Sequence, residues 1–200
     1  MLVSQIMSKE IITITPDKRV SQALQLMQKH QVRHLPVVQG DRMVGWITSR
    51  DLREVLLASM LEKITVGDVM VQAPIAVTPD TDIEEAARLI HERRIGGMPV
   101  VAGEQLVGVI TMMDLISAFI TMLGLLRRSS RLDLLLENQA EVLDAATSVI
   151  RRAGGKVVNV ALGPTKGSKR YYFFRLEKVD LAPITAALKE EGYQVVDLIP

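Results

Sequence analysis

The fold is decided by one stretch, Met43-Val-Gly-Trp-Ile-Thr-Ser-Arg-Asp-Leu52. Residues 43–47 are apolar and β-prone, which predicts a strand. Thr48 is a good helix N-cap residue, and the carboxylate of Asp51, three residues later, can reach back to the free N–H groups of the first helical turn. The stretch therefore predicts a strand that leads through a short turn into a helix.

The same stretch recurs as Leu106-Val-Gly-Val-Ile-Thr-Met-Met-Asp-Leu115, and the likeness extends well beyond it. When residues 1–52 are laid over residues 64–115, a shift of 63 without a gap, 18 of the 52 positions are identical. A repeat of this length that occurs only twice is too long for a solenoid. It predicts two pseudo-symmetric halves packed on each other.

Each repeat is predicted to form the elements β-α-β-β-α. Its first strand, residues 11–15 or 75–78, precedes a Pro-Asp turn and a helix. In the second repeat, Thr81-Asp-Ile-Glu84 has capping-box spacing, and the last helix is predicted to run from residue 112 to about residue 127. The apolar face of the first helix consists of Val20, Ala23, Leu24 and Met27, and that of its counterpart of Ile83, Ala86, Ala87 and Ile90.

The remaining residues show a different order of elements. After the boundary at Ser129-Ser130, an apolar run at 132–136 precedes a helix at 139–153, which Gly154-Gly155 stops. Strands are predicted at 156–162 and 171–176 with a turn-rich loop at 163–169 between them, then a helix from Asp180 to 191 and a strand at 194–199. The order β-α-β-β-α-β is ferredoxin-like, so the whole chain is predicted to be α+β with domains 1–63, 64–128 and 129–200.

The composition excludes several classes of protein. No cysteine is present, which excludes disulfides and thiolate metal sites. The net charge of +1 provides no global field to attract nucleic acid. The apolar stretch 115–126 is shorter than the roughly 20 residues that a membrane span needs, and the first residues lack the order of a signal peptide. We therefore expect a cytoplasmic protein with neither nucleic-acid nor membrane partners.

Catalytic motifs find little support. His30, His34 and His91 are not spaced like a set of metal ligands. The chain contains neither a Gly-x-Ser-x-Gly elbow nor a Walker P-loop. We predict that the protein is not an enzyme and has no catalytic residue, cofactor or metal site.

The doubled pattern carries a family likeness. A Thr-Pro-Asp turn, an alanine-bearing helix, Leu35-Pro-Val-Val38 or Met98-Pro-Val-Val101, and Gly-x-Ile-Thr-x-x-Asp follow one another twice. This arrangement resembles a tandem pair of CBS domains, a Bateman module, over residues 1 to about 122. The tail resembles an ACT-type domain in its element order and its Gly-Gly helix stop. Together they resemble the bacterial acetoin-utilisation CBS–ACT proteins.

The resemblance implies a regulatory function without catalysis. CBS pairs usually bind an adenosine-containing ligand such as AMP, ADP, ATP or S-adenosylmethionine. Occupancy would change the geometry of the repeats or of a homodimer, and the long helix at 112–127 would pass this allosteric change to the tail. A regulated protein partner is also implied.

Site residues follow from the same resemblance. Asp51 and Asp114 would hold ribose hydroxyls, and Thr48 and Thr111 would face the ribose or the α-phosphate. A carboxylate suits this role because it accepts two hydroxyl donors, and a helix N-terminus favours a nearby phosphate. The base would lie in an apolar slot formed by Ile12, Thr13, Ile14, His34, Leu35 and Pro36 in the first repeat, and by Ile75, Ala76, Val77, Gly97, Met98 and Pro99 in the second.

The two predicted sites are not equivalent. The first repeat offers Arg33, His34 and Arg50, where the second has Gly96, Gly97 and Met113. Because arginine forks match phosphate well, the first site is predicted to favour a phosphorylated nucleotide. The second would be weak, empty or suited to an uncharged or cationic tail, although Arg93 and Arg94 are close in sequence and the paired geometry could bring a cation across from the other repeat.

Three alternatives stay open. Asp51 and Asp114 could serve only as helix caps, in which case the repeats would form a ligand-free assembly module. The tail could sense an amino acid, although its turn Glu137-Asn-Gln-Ala140 departs from the Pro-Gly usual in the ACT family and favours a dimerising or partner-binding role. Trp46 is interpreted as a core or interface residue, with stacking on the base as the alternative.

Overall fold

The computed structural model describes residues 1–56, 64–126 and 128–200. Their contacts divide the chain into two compact units, Met1–Ala118 and Phe119–Pro200. The predicted domain boundary at residue 63 and the predicted helix end at residue 127 lie outside the described residues.

The first unit contains both repeats. A short 3₁₀ turn, Val3–Gln5, opens the first repeat, and the four-residue helix α3 opens the second. The elements of the first repeat are α1 (Val20–His30), β1 (His34–Gln39), β2 (Arg42–Thr48) and α2 (Ser49–Leu56). Those of the second are α3 (Val66–Val69), α4 (Ile83–Arg93), β3 (Gly97–Ala102), β4 (Gln105–Thr111) and α5 (Met112–Met122).

A four-stranded sheet joins the repeats in the order β1-β2-β4-β3. Each repeat supplies one antiparallel hairpin, and β2 pairs with β4 at Arg42 and Gln105. The predicted helix faces are confirmed, since most of their residues are buried and Leu24 packs partly buried against the core of the first repeat. The fully or nearly fully buried members are Val20, Ala23, Met27, Ile83, Ala86 and Ile90.

The predicted first strands are wrong, because each reduces to a single bridge. Ile14 pairs in parallel with Val37: its N–H donates to Pro36 and its carbonyl accepts from Val38. In a parallel ladder the next bonds would need the N–H of Pro36 on one side and of Pro16 on the other, and proline has none. Val77 makes the same isolated bridge with Val100 in the second repeat. There Pro79 and Pro99 are the prolines that prevent its extension.

The opening segments of the two repeats are exchanged. Ser8, from the first repeat, pairs with Val109 on β4 of the second. In the same way Val71, from the second repeat, pairs with Trp46 on β2 of the first. Each half of the unit is thus completed by the opening segment of the other.

The identical methionines and glycines of the repeats meet at these crossings. The side chain of Met70 lies over Gly45, and that of Met7 lies over Gly108. A Cβ on either glycine would collide with the methionine sulfur. The sequence likeness at these four positions therefore reflects one packing arrangement used twice.

Two details of helix ends differ from prediction. Thr81 does not begin a capping box: its Oγ1 accepts from the N–H of Thr78, and α4 begins after Asp82. At this helix start the N–H of Ile83 instead donates to the carbonyl of Met1, which belongs to the opening segment of the first repeat. Helix α5 ends at Met122, about five residues earlier than predicted.

The early end of α5 has a local cause. Gly124 takes the left-handed conformation (φ +67°). Its N–H donates to the carbonyl of Thr121, and the N–H of Leu125 donates to that of Ile120. These two bonds form a Schellman motif, which satisfies the last carbonyls of the helix and turns the chain away.

The second unit has the predicted order of elements after the end of α5. A four-stranded antiparallel sheet, ordered β6-β7-β5-β8, is consistent with a ferredoxin-like fold. Asp180 caps the last helix as predicted, accepting from the N–H of Ala182 at 3.0 Å. The elements are β5 (Ser129–Glu137), α6 (Ala140–Arg152), β6 (Val157–Lys166), β7 (Lys169–Glu177), α7 (Leu181–Glu190) and β8 (Gln194–Ile199).

The loop predicted at 163–169 is mostly strand. Lys166 pairs with Lys169, so only Gly167 and Ser168 form the turn. The register shifts between Leu162 and Thr165, which lets the strand accommodate the intervening glycine and proline without losing its pairing farther along. Among the helices that the structure describes, none has the length and apolar character needed to cross a bilayer.

Candidate functional site

A cleft of about 690 Å³ opens between the two repeats. Both repeats line it with matching elements: the segment before the first helix, the loop from that helix into the sheet, and the start of the helix after the hairpin. Of the predicted site residues, it is lined by Ile12, Arg33, His34, Pro36, Thr48, Arg50, Asp51, Ile75, Gly97, Thr111 and Met113.

The other predicted residues lie outside this cleft. Ile14, Leu35, Val77 and Met98 are core residues with at most 7% of their surface exposed. Ala76 faces a smaller cavity of about 160 Å³. The alternation of side chains along an extended backbone explains the buried set, because neighbours of lining residues point into the core. Thr13, Pro99 and Asp114 also do not line the cleft.

The start of α2 carries the predicted threonine-aspartate pair. Oδ2 of Asp51 accepts from the N–H and from the hydroxyl of Thr48, both at 2.8 Å. The hydroxyl oxygen in turn accepts from the N–H groups of Arg50 and Asp51. The N–H of Ser49 donates to the carbonyl of Arg33. The first N–H groups of this helix are therefore all engaged within the protein.

The start of α5 repeats this geometry. Oδ2 of Asp114 accepts from the N–H of Thr111 at 2.8 Å and from its hydroxyl at 2.6 Å. The N–H of Met112 donates to the carbonyl of Gly96. The two halves differ in exposure to the cleft, since Asp51 lines it and Asp114 does not.

Both aspartates act as helix caps in this structure, which is the role that the ligand-free alternative assigns to them. Each bonds to its threonine through Oδ2 alone. Among the described residues, Oδ1 of Asp51 has no hydrogen-bond partner. Because a carboxylate oxygen has room for further donors, Asp51 can cap α2 and still accept from a hydroxyl in the cleft.

An aromatic pair lies at the centre of the cleft. The rings of His34 and Trp46 stack with centroids 5.6 Å apart and an interplanar angle of 28°. Trp46 is 5% exposed, so the interpretation of this residue as core holds, but its surface also reaches the cleft. Burial of His34, with a smaller contribution from the charge of Arg33, lowers the pKa of its imidazole, and the charge of Asp51 only partly opposes this. The imidazole is therefore neutral at neutral pH.

Positive charge dominates the lining of the cleft. Arg33, Arg50 and Arg53 come from the first repeat and Arg94 from the second, against the carboxylates of Glu10 and Asp51. Three of these residues, Glu10, Arg53 and Arg94, were not among the predicted site residues. Arg53 lies three residues after Arg50 on α2, a helical spacing that could have indicated it. Arg94 could have been found from its place just before the loop that corresponds to Arg33 and His34.

The cleft has the chemistry of a binding site. Guanidinium groups, a neutral imidazole, an apolar wall and a carboxylate at a helix start could hold a ribose, a base and phosphates. Within the described residues, no group of three or more histidine, aspartate or glutamate side chains is placed to hold a metal ion.

Comparison with known proteins gives the repeats a family. The family model of the CBS domain matches residues 3–58 and 66–121. Inosine-5'-monophosphate dehydrogenase of Thermoplasma acidophilum is 37% identical over 113 residues, which cover 56% of this chain and 22% of that enzyme. A CBS domain-containing protein of Dictyostelium discoideum is 33% identical over 135 residues, which cover 61% of this chain and 93% of that protein. The similarity to the dehydrogenase is therefore confined to about a fifth of its length.

Solved structures show the same pair of repeats. The AMP complex of CBSX2, a CBS-pair protein of Arabidopsis thaliana, is 30% identical and covers 60% of this chain and 96% of that one, with a TM-score of 0.54. The CBS domain pair of protein MJ0100, in complex with 5-methylthioadenosine and S-adenosyl-L-methionine, is 31% identical, covers 60% of this chain and 95% of that one, and has a TM-score of 0.55.

A third structure bears on the predicted likeness to acetoin-utilisation proteins. AcuB from Vibrio cholerae is 28% identical and covers 62% of this chain and 94% of that one, with a TM-score of 0.57. The resemblance of the CBS pair to this group is thereby supported. The family match ends at residue 121, so the ACT-type character of the tail stays a prediction.

Proposed function

Because the chain belongs to the CBS-domain family, we propose that it is a non-enzymatic regulatory protein whose paired repeats sense an adenosine-containing ligand. The candidate ligands are AMP, ADP, ATP and S-adenosylmethionine. The AMP complex of CBSX2 and the complex of MJ0100 with 5-methylthioadenosine and S-adenosyl-L-methionine support this chemistry, since both are CBS pairs that align with the present repeats.

One observation carries the proposal: the cleft presents, beside arginines and an apolar wall, a carboxylate whose Oδ1 has no partner among the described residues. Asp51 is fixed by two bonds to Thr48, so its Oδ1 is held in a defined place at the start of α2. Ribose hydroxyls donate to such an oxygen. Ile12 and Pro36 offer apolar surface for a base within the same cleft.

The first repeat is proposed to supply the dominant site. Asp51 faces the cleft, whereas Asp114 does not, although both form the same cap. Three of the four arginines also come from the first repeat, and Met113 stands where Arg50 stands in the other half. The half formed by the second repeat would then be weak or empty.

The cleft suits binding better than turnover. It lacks a metal-binding cluster within the described residues, and its charged groups are those that hold a ribose and phosphates. Such a site becomes a switch when the ligand binds one arrangement of the protein more tightly than another.

The relay is proposed to run through α5. Thr111 and Met112 at its start line the cleft, and its last residues belong to the second unit. Met113, Ile116 and Met122 expose apolar surface that a homodimer or a regulated protein partner would cover. The tail is proposed to act as an ACT-type partner-binding or dimerising domain, and the whole protein to work in the cytoplasm.

Calorimetric titration with the four ligands tests the proposal. Asp51→Ala should lower the affinity for the best ligand at least about tenfold, because ribose contacts are charge-assisted. Asp114→Ala should change it less than about threefold. The reverse ranking of the two variants would keep the sensor and overturn the order of the sites.

The ligand-free assembly module is the second candidate. It is favoured by the finding that both aspartates already serve as helix caps. If no ligand releases heat and none shifts the melting temperature of the wild type, the sensor is excluded and the assembly module stands.

A further inference from the structure

The cleft holds four arginines for which the described part of the chain provides no ion-pair partner. Among the described residues, Arg33, Arg50, Arg53 and Arg94 make no ion pair within 4.0 Å, whereas Arg88 on the outer face of α4 pairs with two glutamates. Of the lining residues that the structure describes, only Glu10 and Asp51 carry negative charge, and Asp51 is engaged with Thr48. An excess of guanidinium in one cleft attracts an anion of more than one charge.

The start of α2 cannot provide the anion contacts through its own N–H groups. The N–H groups of Thr48, Ser49, Arg50 and Asp51 all donate within the protein. The usual binding of phosphate by free N–H groups at a helix N-terminus is therefore not available at α2. A phosphate in this cleft depends on side chains, and the arginines are the side chains that supply the charge.

Arg94 approaches from the other repeat. The loop before β1 and the loop before β3 meet where the imidazole of His34 lies against Gly96. Arg33 is next to His34 in the first loop, and Arg94 stands two residues before Gly96 in the second, and both line the cleft. The seam between the repeats therefore has guanidinium groups on both sides.

Arg94 also occupies an unfavourable backbone position. It is the C-cap of α4 and has a left-handed conformation (φ +53°), which glycine or asparagine adopts more readily. Its counterpart in the first repeat, Gln31, has the same conformation. The two counterparts therefore differ in charge at the same backbone position, and both line the cleft.

Resting on the function proposed above, we infer that the cleft takes one nucleoside polyphosphate, whose adenosine lies in the half of the first repeat and whose terminal phosphates cross the seam to Arg94. Arg33 and Arg50 hold the phosphate next to the ribose. Arg94 then distinguishes ATP and ADP from AMP, because only a longer phosphate chain reaches the second repeat.

Titration of the full chain with adenosine, AMP, ADP and ATP tests this inference. EDTA in the buffer keeps divalent cations from masking the phosphate charge. The test variant is Arg94→Gly, because glycine takes the left-handed backbone without strain and the variant should fold at least as well as the wild type. The matched control is Arg93→Ala, which removes the neighbouring exposed arginine that does not line the cleft.

The wild type should bind ATP at least about tenfold more tightly than AMP, since two further phosphates meet charged donors. Arg94→Gly should reduce this ratio to about threefold or less and leave the affinity for AMP unchanged. Arg93→Ala should keep the full ratio.

Equal affinities for AMP and ATP in the wild type, or a ratio that survives in Arg94→Gly, would overturn the inference and leave the adenosine sensor standing. A loss of AMP and ATP affinity by the same factor in Arg94→Gly would also overturn it, since Arg94 would then not read chain length. Absence of binding for adenosine and all three nucleotides would overturn the inference, and absence of S-adenosylmethionine binding as well would overturn the proposed function itself.

Discussion

Nε2 of His34 lies 2.9 Å from the point that a Cβ on Gly96 would occupy. One residue belongs to the first repeat and the other to the second, so the contact marks the place where the halves of the cleft touch. It also explains why the halves differ in sequence here. The histidine fills space that only a glycine in the facing loop leaves open.

Gly96→Ala is expected to press on this imidazole. The ring cannot easily move, because it stacks on Trp46, so overpacking should cost about 1 kcal/mol of the free energy of unfolding. Chemical denaturation measures this loss in the free energy of unfolding. In a His34→Ala background the same glycine substitution should cost almost nothing, and an equal cost in both backgrounds would contradict the contact.

Gly45→Ala is expected to destabilise the crossing between the repeats. The added methyl group would collide with the sulfur of Met70 and lie 3.2 Å from the carbonyl oxygen of Val71. Overpacking of this kind costs about 1–3 kcal/mol. A double-mutant cycle with Met70→Ala should show a coupling of at least about 0.5 kcal/mol, and strict additivity would exclude a direct contact.

Variants of the threonine-aspartate caps distinguish an effect on stability from an effect on ligand affinity. Asp51→Ala and Asp114→Ala remove equivalent caps, and each should cost about 1 kcal/mol in thermal or chemical unfolding. A third cap outside the cleft provides the control: Oδ2 of Asp68 accepts from the N–H and hydroxyl of Thr65. Asp68→Ala should leave nucleotide affinity unchanged. A loss of affinity in Asp68→Ala like that in Asp51→Ala would mean that binding merely follows stability.

The stability of the protein should depend on the protonation of His34. Burial, and then the charge of Arg33, lowers the pKa of this imidazole below its ordinary value of 6.5, so the unfolded chain binds the proton more readily than the folded one. The contribution to stability is therefore complete above about pH 6.5 and is lost as the pH falls toward the lower folded pKa. Melting temperatures measured from about pH 7.5 to 5.5 should fall less in His34→Gln than in the wild type. His30→Gln, at an exposed position, is the control and should behave as the wild type.

Local chemistry explains what the sequence predicted well. The cap of Thr48 and Asp51 lies within four consecutive residues. The apolar helix faces around Ala23 and Ala86 follow the periodicity of an α-helix. The first strands were wrong because the bonds that would extend them need N–H groups from two prolines, one in the neighbouring strand and one at the end of the segment itself. Nor does any local pattern show that Met7 covers Gly108 in the other repeat.

Only part of the lining of the cleft could be predicted from the sequence. Asp51, Thr48 and Arg33, which the repeat and the family likeness indicate, line the cleft. Leu35 and Met98 were included because the family likeness implies that their segments form the base slot, whereas the alternation of side chains places these two side chains in the core. Arg94 was noted as close in sequence but not counted among the site residues, because only the meeting of His34 and Gly96 brings its loop to the same cleft.

The exchange of opening segments has a consequence for how the first unit unfolds and for how it could have arisen. Residues 1–8 complete the second repeat and residues 64–71 complete the first, so neither repeat can melt without exposing the core of the other. Unfolding of the pair should be a single cooperative transition. A lone repeat could regain both contacts only from a second copy of itself, which is the arrangement expected if an ancestral domain-swapped homodimer became one chain by duplication.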